Sequence, residues 1–158
     1  MNFMKTQFNP KKHTIYNPIN KNKYVGSYPL IVRSSWERTF CQWCDNNSSI
    51  IKWNSEDVII PYYDPVKRKQ RRYFPDFMIK VRDKNDDDKI YIVEVKPYNQ
   101  VMAPKGSKNK KQKTIISENA IYATNNAKWK AAADFCRKRG FIFKIITEKE
   151  LYKWKKNC

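Results

Sequence analysis

With 158 residues the chain is large enough for one domain with its own core, and aromatic residues, 15% of it, supply that core despite a negative mean hydropathy. Thirty-three Lys and Arg against fifteen Asp and Glu give a formal net charge of +18, which points to a polyanionic partner. No window approaches the roughly 18 apolar residues of a membrane span and the N-terminus lacks a signal peptide's apolar run, so a membrane role is excluded and a soluble protein made in a cytoplasm is expected.

Residues 1–30 are rich in Asn, Lys and Pro with few periodic apolar positions, and read as an extended basic arm that carries the single histidine, His13. Residues 31–158 read as the folded domain. Its first helix starts at Ser34, with Glu37 three residues on as a capping box, and Trp36, Phe40, Trp43 and Cys44 form its buried stripe. Cys41 and Cys44 spell C-x-x-C, but inside a helix and with no second pair they make a poor zinc site. With Cys136 and Cys158 they form no disulfide framework in a reducing compartment.

Strand segments follow at Ile50–Trp53 and Val58–Tyr63, then a turn at Asp64-Pro65 leading toward Arg72. Residues 73–81 and 89–96 read as a hairpin closed by the polar loop Asp83 to Asp88. Pro97 ends the second strand, because it cannot donate to a ladder. Residues 98–116 read as a mobile basic loop, and Ser117 as the N-cap of a long helix that Gly140 stops. Phe141 to Ile146 is a buried strand, and Thr147 with Glu150 opens a terminal helix with Leu151 and Trp154 inward.

The hairpin carries the chemistry. With a side-chain period of two, Tyr91, Val93 and Val95 face one way while Glu94 and Lys96 face the other; Tyr73, Phe77, Ile79 and Val81 likewise leave Asp76 on the opposite face. Pairing the strands brings Asp76 toward Glu94. Two carboxylates so placed suit Mg²⁺, a hard cation that prefers oxygen ligands, and Lys96 is placed to orient a water or offset charge building on a phosphate. On the residues alone, the same acids and lysine also fit an ordinary solvated strand face.

Basic residues flank these strands. Lys67, Arg68, Lys69, Arg71 and Arg72 crowd the preceding turn, and Lys105, Lys108, Lys110, Lys111 and Lys113 follow in a stretch without acids. Lys128 and Lys130 lie on the long helix. All are candidates for DNA phosphates, although a lysine run can equally be a solvated segment.

Pro75-Asp76 with Glu94-Val95-Lys96 resembles the motif of the PD-(D/E)xK nuclease superfamily. The element order, helix, three strands, helix and strand, is similar to its restriction-endonuclease-like αβββαβ core, an α/β (α+β) fold with a mixed sheet flanked by helices. Arg33-Ser34-Ser35-Trp36-Glu37-Arg38, Ile60-Pro61-Tyr62, Arg72-Tyr73-Phe74-Pro75-Asp76-Phe77, Ile92-Val93-Glu94-Val95-Lys96-Pro97 and Asn126 to Ala132 further resemble the head completion nucleases of T-even-like tailed phages. The first helix and the motif strands are also similar to the catalytic subunit of heteromeric transposases.

The resemblance implies a metal-dependent DNA endonuclease and exonuclease of phage head completion and head-tail joining, trimming packaged double-stranded DNA. Glu37, Asp76 and Glu94 would hold Mg²⁺ or Mn²⁺, and Lys96 would serve the nucleophilic water. Portal or head-neck proteins become implied partners, and the host cytoplasm during assembly, with retention in the virion, the implied location. Two rivals stay open: a non-catalytic basic DNA-binding protein of the head-tail junction, and a transposon or repair endonuclease.

Overall fold

The computed structural model describes residues 14–156, with side chains through Lys153, so His13, Cys158 and the inward placement expected for Trp154 lie outside the described residues. The elements in chain order are β1 (Thr14–Tyr16), β2 (Leu30–Val32), α1 (Ser35–Asn46), β3 (Ile50–Ser55), β4 (Ile60–Asp64), β5 (Lys69–Tyr73), β6 (Phe77–Arg82), β7 (Asp88–Val95), α2 (Tyr98–Val101), α3 (Gln112–Arg139), β8 (Ile142–Ile146) and α4 (Glu148–Lys156). The protein has the mixed α+β architecture of the restriction-endonuclease-like class. Its central sheet runs β3-β6-β7-β8; β3, β6 and β7 form an antiparallel meander and β8 joins β7 in parallel. The parallel pair follows from the helical crossover α3, since strands paired that way need a long connection.

Two cores flank the sheet. On one face Phe77, Ile79, Val93 and Val95 pack with Phe40, Cys41 and Cys44 of α1, Trp53 of β3 and Leu151 of α4. Fully burying each large apolar side chain here contributes roughly 1.5–3 kcal/mol. On the other face α3 lays Ala132, Ala127 and Phe135 against Ile60 and Tyr62 of β4, Tyr73 of β5 and Phe143 of β8. The β4–β5 hairpin is a sheet of its own, inserted in the chain between β3 and β6.

That insertion separates what the sequence reads as one strand over 73–81. Tyr73 closes β5 and Phe77 opens β6; between them Pro75 has no N–H to give a ladder. Residues 67–72, expected as a turn, divide between the turn at 65–68 and β5 itself.

The expected loop 98–116 contains the short helix α2, and α3 begins at Gln112 rather than at Ser117. Lys111 supplies the extended cap residue without a side-chain bond, and its carbonyl accepts from Thr114 and Ile115. Ser117 therefore lies within the helix. At the other end Gly140 takes φ +68, a left-handed conformation open to glycine at little cost, and its N–H bonds the Cys136 carbonyl.

The described part of the expected arm is anchored to the core instead of extending from it. β1 pairs antiparallel with β2, and Tyr16 and Tyr24 are buried against Trp53. Tyr16 donates its hydroxyl to the buried carboxylate of Asp45, and the Lys23 ammonium donates to the carbonyls of Cys44, Asp45 and Asn47 at the C-terminal end of α1. A cation there satisfies carbonyls that the helix itself leaves free.

Candidate active site

The β6–β7 register dictates the centre of the site. Phe77 pairs with Val93 and Met78 with Ile92, so one further step of the antiparallel ladder sets Asp76 opposite Glu94. Asp76 lies just before β6, and its Oδ2 accepts the Val95 backbone N–H at 2.8 Å, which ties the Phe74-Pro75-Asp76 bend to β7. Glu94 is 4% exposed, far from the solvated strand face that its alternation alone allows. Its Oε1 lies 3.1 Å from Lys96 Nζ, and its Oε2 accepts from the Tyr73 hydroxyl at 2.7 Å.

Electrostatics mark the same spot. Burial raises the Asp76 carboxyl well above the usual carboxylate range and the Glu94 charge adds to it, while Lys96 and the Val95 N–H act in the opposite sense. At Lys96 burial opposes the charge, but Glu94 and Asp76 overcome it and raise the pKa. Burial and Glu94 also raise the Tyr73 hydroxyl, keeping it a donor.

Glu37 is placed at the start of α1 by the Ser34 cap, whose Oγ accepts the Glu37 N–H at 3.1 Å. Its own carboxylate turns back, Oε2 accepting from the Arg33 N–H at 2.8 Å and Oε1 from Ser34 Oγ at 3.2 Å. The Ser34 half is that of a capping box, while the Glu37 carboxylate reaches one residue further back, to the Arg33 N–H. Burial raises its pKa, and its charge is felt at both Asp76 and Lys96. Among the described residues no group of three or more His, Cys, Asp and Glu side chains is gathered to hold a metal ion. The opposed carboxylates of Asp76 and Glu94 nonetheless fit one chemically: both are hard oxygen donors, and their mutual repulsion in a buried place is relieved by a divalent cation.

The other sequence-predicted residues divide. Lys128, on α3, is half-buried with Nζ 5.7 Å from the centroid of the Tyr73 ring and 5.9 Å from that of Tyr62. Burial lowers its pKa, while Glu94 pulls it up. Lys130 is exposed, 200° further round the helix by the 100° step per residue. Lys67 and Arg68 sit in the β4–β5 turn; Lys69, Arg71 and Arg72 are exposed on β5, where Arg71 pairs with Asp64 and Arg72 lies over Phe74. Lys105, Lys108, Lys110 and Lys111 belong to the connector between α2 and α3, with Lys110 paired to Glu118, and Lys113 to the first turn of α3.

Three residues escape a reading of the sequence. Tyr73 counts there as apolar, yet its hydroxyl holds Glu94. Arg33 pairs with Glu56 and acts electrostatically on Glu37 and Asp76. Glu56 itself takes φ +54 at the exit from β3, and its N–H bonds the Asp76 carbonyl. A glutamate at positive φ is uncommon, and no sequence signal announces it.

Residues 47–148 match the family described as TnsA-like endonuclease N terminal. The chain is 36% identical over 135 residues to the head completion nuclease of Enterobacteria phage T4, an alignment covering 83% of this chain and 87% of that protein. No solved structure matches the chain.

Proposed function

Because the chain belongs to the TnsA-like endonuclease N-terminal family and is a nuclease, we propose that it hydrolyses DNA phosphodiester bonds with Mg²⁺ at the Asp76–Glu94–Lys96 site during phage head completion. The observation that carries this reading is the convergence of two opposed carboxylates and a lysine on one face of the β6–β7 pair.

Asp76 and Glu94 would hold the ion, with Mn²⁺ able to replace it, and Glu37 would add negative charge from its cap. When bound, the metal supplies Lewis-acid polarisation of the phosphate and a lowered pKa for the attacking water. Lys96, fixed against Glu94, orients that water and offsets the charge that develops on the phosphate oxygens. Tyr73 locks the Glu94 rotamer from the opposite side. Asp76 is locked by the backbone of the strand that carries Glu94. The acids are thus held in place before DNA arrives.

The net charge of +18 supplies the attraction for a sequence-tolerant grip on double-stranded DNA. The similarity to a head completion nuclease supports action in the host during phage assembly; to this the proposal adds endonucleolytic cutting and end trimming of packaged DNA beside portal or head-neck proteins, with retention in the virion. The described residues contain no helix long and apolar enough to cross a membrane.

The test is incubation of supercoiled and linear plasmid with the full chain in Mg²⁺, in Mn²⁺ and in EDTA, with DNA binding followed in parallel. Nicking of the supercoiled form in either metal, abolished by EDTA while binding persists, is the expected result. Binding without cleavage in both metals would overturn the reading in favour of a DNA-gripping assembly protein.

A further inference from the structure

Between the β4–β5 hairpin and α3 lies a second basic feature, a pocket of about 310 Å³ lined by Asp64, Lys67, Arg71, Thr124, Asn125 and Lys128 among others. Its volume is at the lower end of the roughly 300–1,000 Å³ typical of ligand pockets. Resting on the nuclease reading above, we propose that this pocket is a phosphate subsite for the nucleotide next to the scissile bond, with Lys128 as the positioning residue that joins it to the cleavage site.

Placement comes from the hairpin register. Tyr62 pairs with Arg71 and Ile60 with Tyr73, and residues two apart share a face, so Arg71 and Tyr73 look toward α3 together with Tyr62 and Asp64. Tyr73 reaches Glu94 with its hydroxyl while its ring carries the Lys128 ammonium. One tyrosine therefore separates the pocket's innermost cation from the catalytic carboxylate. A strand bound at Glu94 would therefore run past Lys128 on the other side of the same ring.

Charge in the pocket favours an anion. Three cations face one acid, and Asp64 is already occupied: its Oδ1 accepts the N–H groups of Val66 and Lys67 and its Oδ2 faces Arg71 at 3.2 Å. Asp64 thereby aims Arg71 and fixes the turn. Lys128 has no carboxylate within ion-pair distance among the described residues, only the two tyrosine faces. Half-buried without a counter-ion, it gains most from an incoming phosphate, and the hydroxyl of Thr124 and the amide of Asn125 add neutral donors. Lys130, pointing elsewhere on the same helix, has no part in it.

The experiment uses oligonucleotide duplexes with one neutral methylphosphonate moved along the cleaved strand, cut in Mg²⁺ by the full-length wild type, Lys128→Gln and Lys128→Arg. In the wild type, a neutral linkage beside a given bond should slow cutting of that bond about tenfold or more, the scale of a lost charged hydrogen bond. Lys128→Gln should be slower on unmodified DNA and insensitive to that linkage, while Lys128→Arg regains the sensitivity. Binding in EDTA should lose about one unit of salt slope in Lys128→Gln and none in the control Lys84→Gln, at the far hairpin turn. Unchanged linkage sensitivity in Lys128→Gln overturns the subsite while leaving the nuclease reading intact. Absence of wild-type cleavage would sink that reading, and the salt slope would still decide whether Lys128 meets a phosphate.

Discussion

Asp76 and Glu94 are held opposite each other by hydrogen bonds, and burial with their like charges disfavours ionisation of Asp76 even with Lys96 beside Glu94. On the proposed reading, the metal-binding acids carry a stability cost. Asp76→Asn keeps an oxygen for the Val95 N–H and removes the like charge, so in EDTA at neutral pH it should melt higher than the wild type, by about 2–4 °C for each ~1 kcal/mol relieved. Mg²⁺ should raise the wild-type melting temperature and leave the variant unmoved. A variant that melts lower in EDTA and still responds to Mg²⁺ would contradict the paired-acid account. Tyr73→Phe retains the ring beneath Lys128 and loses only the bond to Glu94. The expected cost is about 1 kcal/mol, a several-fold fall in single-turnover cleavage with DNA affinity unchanged; an unaltered rate would show that Lys96 alone fixes Glu94.

At the scale of elements, caps and turns give the fold an acid sensitivity with a definite sign. At Glu150 burial pushes the pKa up, but the Thr147 hydroxyl and N–H hold it below its ordinary value. The Lys67 N–H, then Arg71 and the Val66 N–H against opposing burial, hold Asp64 down as well. Depressed folded pKa values mean that the unfolded chain binds more protons in that window. The stability from both groups is complete above the ordinary carboxylate range, about pH 4–4.5, and is lost as pH falls through the folded values. Between pH 7 and pH 3.5 the wild-type urea midpoint should fall relative to those of Asp64→Asn and Glu150→Gln, the variants being weaker chiefly at pH 7; the raised pKa values of Asp76 and Glu37 act in the opposite sense but equally in all three proteins. Parallel changes in all three proteins would contradict this.

Elements also differ in how far the sequence discloses them. The α1 and α4 starts are legible because Ser34–Glu37 and Thr147–Glu150 carry their bonds in adjacent residues. The start of α3 is not, since Lys111 caps it with backbone alone and the eye passes on to Ser117. Period two reveals that Asp76, Glu94 and Lys96 share a face. It cannot reveal that the β4–β5 hairpin and α3 close over that face, because Ile60, Tyr62 and Tyr73 make a small core with residues some 60 positions along the chain. The burial of Glu94 and the roles of Tyr73 and Lys128 follow from that closure.

Across the whole molecule, the expected arm shows the same limit. Tyr16, Lys23 and Asp45 meet over more than 20 residues of separation, and only the folded α1 creates the carbonyls that Lys23 caps. The molecule is two cores on one sheet, with the acids where its two central strands β6 and β7 meet and cations on the hairpin and α3. On the proposed reading, basic charge gathers the polyanion and the β6–β7 pair carries the chemistry. The most direct measurement is the single-turnover rate of plasmid nicking by wild type and Asp76→Ala in Mg²⁺, with enzyme saturating and DNA affinity determined for both. A fall of about 10³-fold or more in rate, with affinity equal or higher in the variant, is the predicted result, the scale at which removing one preorganised active-site group acts. Nicking by Asp76→Ala at the wild-type rate would place the chemistry elsewhere in the molecule.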